Sequence, residues 1–410
     1  MDAKKEEWLR ANLRVVLFTG NYNYIRDGVA VTLNKLVAFL ESRGIDVVVV
    51  TPTTQTPAFE PCGRMISVPS IPAPGRGEYR GAIGLPRSVR RQIDAFAPTL
   101  FHVAVPDMLG FRALQFARRR GVPAVASYHT RYQTYFRYYG LGLLEPLWRR
   151  YTAFFYGRCR QLYVPSEAIG DVLKSEGVRT EIRVWSRGVD AERYHPRNRS
   201  DAWRKEIGVG DEVLVTYVGR LVREKNMAGL TRAFAALNAE GSGCRTIIVG
   251  DGPEEKKVRA ALPGTIFTGF LYDADLARAY ASSDLFFFPS TTETFGNVTA
   301  EAMASGLPAV CADAPNSRSL VIPGETGLLV DPGKTENFVG PLMALASDAG
   351  LRQRMAAAAR THVVENFGTD GVMRRILDYY YDALNERAQS RPEEAARASR
   401  SSPRADGGKA

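Results

Sequence analysis

Leu13-Arg14-Val15-Val16-Leu17-Phe18, a loop, the amphipathic segment Ala30–Arg43, Gly44, then Asp46-Val47-Val48-Val49-Val50-Thr51: this stretch reads strand, helix, strand. Its two strand-like runs are apolar at consecutive positions rather than alternate ones. Both faces must therefore be covered, as in a parallel sheet sandwiched between helices. The rhythm continues through Leu100–Val105, Pro123–Ser127 and Gln161–Val164, with helical segments such as Leu109–Arg120 between them. It starts again with Val213–Val218, Arg245–Val249, Thr265–Thr268, Asp284–Phe288 and Ala309–Ala312, each followed by a helical stretch. Between the two series, His195-Pro196-Arg197-Asn198-Arg199-Ser200 breaks both periodicities. The expected fold is α/β, with two doubly wound Rossmann-like domains facing across a cleft at the carboxyl ends of their strands, where such sheets bind nucleotides. The domains are expected at 1–195 and 196–370, with a helix at 371–387 returning to the first domain. The tail 388–410, rich in Ser, Arg, Pro and Gly, is expected to be disordered.

The chain's 410 residues suit two domains at roughly 100–200 residues each. Its apolar fraction of 45% suffices for ordinary cores. No apolar run approaches the ~20 residues of a membrane-spanning helix. The start, Met1-Asp2-Ala3-Lys4-Lys5-Glu6-Glu7, carries both charges and has no signal-peptide pattern, so the expected location is the cytoplasm. Cys62, Cys159, Cys244 and Cys311 stand far apart, and no two of the 4 histidines have ligand spacing, so neither a disulfide framework nor a bound metal is expected. Charge is unevenly distributed. Residues 1–190 hold 27 Lys+Arg against 16 Asp+Glu, a net of +11, which leaves 27 basic and 28 acidic residues for the remainder. A basic front half predicts a polyanionic partner, either an anionic membrane or nucleic acid.

The chemistry should lie in the loops at strand ends. After Val218 comes Gly219-Arg220-Leu221-Val222-Arg223-Glu224-Lys225-Asn226, where a planar guanidinium and an ammonium suit a diphosphate; a solvated basic turn is the alternative. After Phe286-Phe287-Phe288-Pro289-Ser290 comes Thr291-Thr292-Glu293-Thr294-Phe295-Gly296-Asn297-Val298, then a helix from Thr299 closed by Gly306 and Pro308. The free N–H groups near Gly296–Val298 form an anion site at a helix start. Glu293 before that helix and Glu301 within it are separated by up to ~12 Å along the axis, enough to accept sugar hydroxyls on either side of a diphosphate.

Gly219-Arg220-x4-Lys225, Val249-Gly250-Asp251-Gly252-Pro253, Glu293-Thr294-Phe295-Gly296 through Glu301-Ala302, and Ala304-Ser305-Gly306-Leu307-Pro308 together resemble the family 4 retaining glycosyltransferases of GT-B fold. The resemblance spans roughly Leu13 to Asn385. It implies that Arg220 and Lys225 neutralise the donor diphosphate, that Glu301 holds the ribose, and that Glu293, with Thr294, Phe295, Gly296 and Asn297 beside it, receives the transferred sugar. The family's glycine loop maps onto Asp27-Gly28-Val29, with Gly28 beside the diphosphate and Asp27 where many members have a glycine. The front half resembles a narrower group, the sulfolipid synthases and related bacterial lipid α-glycosyltransferases, through Ser127-Tyr128-His129-Thr130, Pro146-Leu147-Trp148, Val164-Pro165-Ser166, Ala168-Ile169-Gly170 and Val184-Trp185-Ser186-Arg187-Gly188-Val189-Asp190. That implies His129 beside the donor sugar in the acceptor-side pocket; a core imidazole next to Tyr128 is the alternative. His102, inside a strand-like run, reads as a core histidine.

Two patterns invite misreading. Asp273-Ala274-Asp275 is literally D-x-D, a metal signature, yet it opens an amphipathic helix, where aspartates cap free N–H groups and meet the dipole. Gly250-Asp251-Gly252-Pro253 looks like half a nucleotide fingerprint but suits a tight strand-to-helix turn. The stretch Arg131–Arg160 holds ten aromatics and six arginines against one acid, Glu145. It suits the headgroup region of an anionic membrane or single-stranded nucleic acid, or else a helix pair whose arginines snorkel outward.

The function expected is a retaining, metal-independent hexosyltransferase at the inner face of the membrane. It would have Arg220, Lys225, Glu293 and His129 as catalytic groups, and a UDP-sugar or GDP-mannose as donor. Its partners would be a lipid acceptor and an anionic membrane surface, with no nucleic acid. It would need no cofactor, the nucleotide sugar being a substrate. The competing expectations are a soluble or polysaccharide acceptor, a GT-B sugar-nucleotide epimerase, and a nucleic-acid-binding protein using the basic half, which lacks any helix-turn-helix, zinc or RNP-type signature.

Overall fold

A computed structural model describes residues 3–73, 76–130 and 142–400, and side chains as far as residue 385 apart from those at 73–78 and 142. The chain forms two compact units, one of residues 1–127, 155–162 and 374 onward, the other of 128–154 and 163–373.

In chain order the first strands are β1 (Arg14–Phe18), β2 (Asp46–Thr51), β3 (Arg64–Ser67), β4 (Ser70–Ala73), β5 (Arg76–Ala82), β6 (Leu100–Val103), β7 (Ala124–Ser127), β8 (Gln161–Val164) and β9 (Glu181–Val184). All but β4 and β5 form a seven-stranded sheet in the order β3-β2-β1-β6-β7-β8-β9; β4 and β5 pair antiparallel as a hairpin. The inner strands β6, β7 and β8 are buried at every position, and β1 and β2 at all but their first. Continuous apolar runs in the sequence reveal strands of this kind. The outer strands β3 and β9 are only partly covered, and polar residues interrupt them, at both ends of β3 and at alternate positions of β9, so that signal misses them.

The second sheet holds β10 (Val213–Val218), β11 (Cys244–Val249), β12 (Ile266–Gly269), β13 (Leu285–Phe288), β14 (Ala309–Ala312) and β15 (Gly327–Val330), all parallel, in the order β12-β11-β10-β13-β14-β15. Phe286, Phe287 and Phe288 fill its centre against Phe234, Tyr217 and Phe338. Strand order reverses between β1 and β6 in the first sheet and between β10 and β13 in the second. Those are the switch points at which open α/β sheets leave room for a ligand.

The last helix runs from Thr369 to Arg400. Its residues from 374 belong to the first unit: Tyr381 packs edge-on against Trp8 of the helix Ala3–Asn12, and Tyr380 bonds His102. Part of the tail expected to be disordered is thus helical, its Glu, Ala and Arg residues being good helix formers. Residues 401–410 lie outside the described residues.

Candidate active site

The loop after β10 is held by backbone contacts on both sides. Tyr217, fully buried, donates its hydroxyl to the Arg220 carbonyl at 3.1 Å. Leu221 exchanges bonds with the neighbouring loop, its N–H to Asp251 O at 2.8 Å and its carbonyl to the Glu254 N–H at 3.0 Å. This approach explains the glycines of Gly250-Asp251-Gly252. A Cβ on Gly250 would lie 2.2 Å from the Gly219 oxygen, and one on Gly252 2.4 Å from that of Leu221. The motif is a packing surface for the Arg220 loop. A short turn Arg223–Lys225 follows, and Asn226, in the left-handed region at φ 56°, caps the helix Met227–Leu237 by accepting the Gly229 N–H.

The loop after β13 lies alongside, since β10 and β13 are neighbours with Val215 opposite Leu285. Thr292 donates to the Glu224 carbonyl at 3.2 Å, joining the two loops. Glu293 forms an ion pair with Lys225, and the Lys225 ammonium sits 5.7 Å from the centre of the Phe288 ring. Burial pushes the Lys225 ammonium down to about 8; Glu224 pulls it back up and the Arg220 charge lowers it. Phe295 is buried against Phe367, and Gly296, at φ 103°, precedes the helix Asn297–Ala304. Within that helix Glu301 accepts the Tyr280 hydroxyl at 3.2 Å, and Tyr280 packs edge-on with Tyr194. Burial, then the nearby Glu301 charge, holds the Tyr280 phenol well above its ordinary value, so it stays a donor.

His129 joins the same unit. It is only 8% exposed, its ring edge-on to Trp185. Its carbonyl accepts both the Thr294 hydroxyl and the Arg187 guanidinium at 2.9 Å. Thus Arg220, Lys225, Glu293, Thr294 and His129 come together through bonded loops, with Glu301 one helical segment away.

The sequence matches "Glycosyl transferases group 1" over residues 199–362 and "Glycosyltransferase Family 4" over 26–193. It is 33% identical to a sulfoquinovosyl transferase of Arabidopsis thaliana, over 85% of this chain and 69% of that protein. It is 32% identical to a GDP-mannose-dependent alpha-mannosyltransferase of Mycobacterium tuberculosis, over 86% of this chain and 92% of that one. The chain belongs to glycosyltransferase family 4. A further relative, an alpha-monoglucosyldiacylglycerol synthase of Streptococcus pneumoniae, is 27% identical over 91% of this chain and 86% of its own. Among solved structures, sucrose-phosphate synthase of Thermosynechococcus elongatus superposes with a TM-score of 0.75 at 19% identity, covering 91% of this chain and all of that one; it shares the GT-B fold.

In the glycosyltransferase's other unit, Gly28 opens the helix Gly28–Ser42, and Asp27 supplies what a second glycine would not. Its carboxylate accepts the N–H groups of Val29 at 3.0 Å and Ala30 at 2.8 Å, while Asn21 donates to its other oxygen. His102 is a core histidine, between the Tyr380 hydroxyl at 2.6 Å and Ser127 at 2.8 Å, and burial pushes its imidazole down to about 3.

One expectation changes. Asp273 does not cap its helix from outside. It is the first helical residue, at φ 48°, and its carboxylate pairs with Arg193 at 2.9 Å, because the residue in the cap position is Tyr272, which makes no side-chain cap bond. The aromatic and arginine stretch lies only partly within the described residues. Residues 131–141 lie outside the described residues, and in the helix Glu145–Tyr156 Phe155 and Tyr156 are buried while Leu147 and Phe154 are exposed, as are Leu143 and Leu144 just before it. Arg149 is paired with Glu145 at 2.6 Å and Glu176 at 3.9 Å, and Arg160 donates to the Ala383 carbonyl. No helix among the described residues is long and apolar enough to cross a membrane.

The residues not singled out from sequence are those that hold the loops: Tyr217, Thr292, Tyr280 and Arg187. A Tyr or Thr in a strand, helix or loop carries no signal of its bonding partner. Arg187 stood in view within Trp185-Ser186-Arg187-Gly188, but only contact with His129 gives it a role.

Proposed function

We propose that this chain transfers a hexosyl group from a nucleoside-diphosphate sugar, a UDP-sugar or GDP-mannose, to a lipid hydroxyl at the cytoplasmic face of the membrane. It does so with retention of configuration and without metal or cofactor. Residues 196–370 bind the donor and residues 1–195 the acceptor. The observation that carries the donor half is the pair of loops leaving β10 and β13 at the switch point, with Lys225 against Glu293 and Arg220 five residues before Lys225. On donor binding Lys225 exchanges Glu293 for the diphosphate. Glu293 is then free to accept sugar hydroxyls, while Glu301, oriented by Tyr280, receives the ribose. The bond from the anomeric carbon to the phosphate oxygen breaks as the acceptor oxygen bonds on the same face of the sugar. The acceptor's proton passes to the departing phosphate oxygen. Arg220, Lys225 and the amides opening the helix at Asn297 neutralise the charge that develops there, and His129 orients the sugar.

The lipid acceptor is supported by the name of the alpha-monoglucosyldiacylglycerol synthase relative, and the donor alternatives by the sulfoquinovosyl and GDP-mannose names of the other two. It is supported also by the exposed apolar residues Leu143, Leu147 and Phe154, with Arg150 exposed on the same helix as the last two. The +11 charge of residues 1–190 suits an anionic bilayer, each basic residue near it contributing ~1 kcal/mol. The test is incubation with UDP-sugars and GDP-mannose in the presence of diacylglycerol-containing anionic liposomes, with products identified by mass spectrometry. A glycosylated lipid is expected. Turnover of a nucleotide sugar with soluble acceptors alone refutes the lipid acceptor and leaves the donor site standing; no sugar nucleotide turned over refutes both.

A further inference from the structure

We propose that Arg187 is a positioning residue that fixes His129 as its neutral Nε2–H tautomer, so that the imidazole offers the sugar a hydrogen-bond donor in a set direction. The inference deepens the proposed function, resting on His129 lying beside the donor sugar.

The Arg187 Nη2 lies 2.9 Å from the His129 carbonyl oxygen and 3.4 Å from its Nδ1. A terminal guanidinium nitrogen carries two hydrogens, one for each acceptor, and has no lone pair to accept with. An Nδ1 facing that nitrogen must therefore be the bare one. In a neutral imidazole the single proton is then on Nε2. A doubly protonated ring would point an N–H at an N–H and set two cations against each other. The arrangement therefore selects both the tautomer and the charge state.

The support is rigid on three sides. Thr294, next to Glu293, donates to the same His129 carbonyl at 2.9 Å, so the loop carrying the carboxylate is tied to the imidazole's backbone. Trp185 stands edge-on to the ring at 6.1 Å, and its backbone N–H is bonded to Val164 O at 2.7 Å. Beyond Arg187 the backbone is clamped. A Cβ on Gly188 would lie 2.5 Å from Thr369 Cα, and Val189 exchanges bonds with Phe367 and Thr369 at 2.8 and 3.1 Å. Little of this depends on a bound donor, as preorganised catalytic positioning requires.

The experiment is nitrogen NMR of the full chain labelled with 15N-histidine, its 4 histidines assigned by comparison with His129→Gln. Wild type is expected to show His129 with Nε2 protonated and Nδ1 bare. Arg187→Met, which keeps the apolar stem and removes the donors, is expected to give mixed tautomers or a charged ring. It should lower kcat about 10-fold to 100-fold, the scale of a misaligned catalytic group. Affinity for UDP or GDP alone should stay unchanged. Arg187→Lys, which can still reach the carbonyl, should recover part of kcat. Wild-type His129 protonated at Nδ1 overturns the proposal without any variant, so a misfolded Arg187→Met does not rescue it. An unchanged tautomer in a folded Arg187→Met overturns it too. A changed tautomer with unchanged transfer supports the role of Arg187 and instead refutes His129 as a group acting on the sugar.

Discussion

The ammonium of Lys225, held down to about 8, makes donor binding depend on pH above neutrality in a way that Arg220 does not. Burial is the main cause, and a diphosphate needs the charged form. Binding therefore favours the protonated amine and weakens as the free enzyme loses that proton. With an ammonium titrating near 8, roughly nine-tenths of the free enzyme is charged at pH 7 and roughly one-tenth at pH 9. The dissociation constant for UDP or GDP should thus rise about 10-fold between those values, or ~1.4 kcal/mol. Isothermal titration calorimetry at several pH values measures this directly. The nucleotide's own terminal phosphate titrates near ~6 and becomes more anionic with pH, which acts in the opposite direction. The Lys225→Arg variant removes that ambiguity, because a guanidinium remains charged throughout. Its dissociation constant should be flat or fall slightly over the same interval. A flat profile in wild type, or the same rise in Lys225→Arg, would refute the assignment of Lys225 to the diphosphate.

Glu293→Gln should slow sugar transfer and leave UDP or GDP binding intact, whereas Glu301→Gln should weaken both by about 1.5–3 kcal/mol, the scale of a hydrogen bond to a charged group; equal losses of nucleotide affinity in the two would merge their roles. His102, neutral in the fold and held to about 3, gives stability that is complete above its unfolded value of 6.5 and lost as pH falls toward 3. The loss should approach about 5 kcal/mol at ~1.4 kcal/mol per pH unit, and His102→Gln should unfold with a shallower acid dependence in denaturant titrations. Replacing exposed Leu147 and Arg150 by Ser should reduce co-sedimentation with anionic liposomes at low salt, while Arg149→Ser, which breaks bonds to Glu145 and Glu176, should also lower thermal stability. Equal liposome binding by wild type and the Leu147/Arg150 variant would remove this helix from the membrane surface.

Sequence alone determined which runs are buried strands and where the loops at their ends carry charge, because these are local properties. Consecutive apolar residues at Val47–Val50 or Leu285–Phe288 have to be covered on both faces whatever lies beside them. Arg220, Lys225 and Glu293 could be picked out because loops, unlike strands, have no packing reason to hold such charges together, and Glu301 because it lies in the helix that follows the Glu293 loop. The Asp27-Gly28 step was visible too, but not that Asp27 uses its carboxylate on the amides of Val29 and Ala30. Tertiary structure decided everything that depends on strand order. That β13 lies beside β10, rather than beside β12 that precedes it in the chain, is what brings Glu293 to Lys225 and Thr292 to Glu224. The union of His129, Arg187 and Thr294 depends on residues 58 and 165 positions apart, a relation no periodicity records. Local sequence sets what each segment must bury; which polar atoms then meet is fixed only when the segments pack, since a hydrogen bond needs its partner within about 3 Å and a chain pattern carries no such distance.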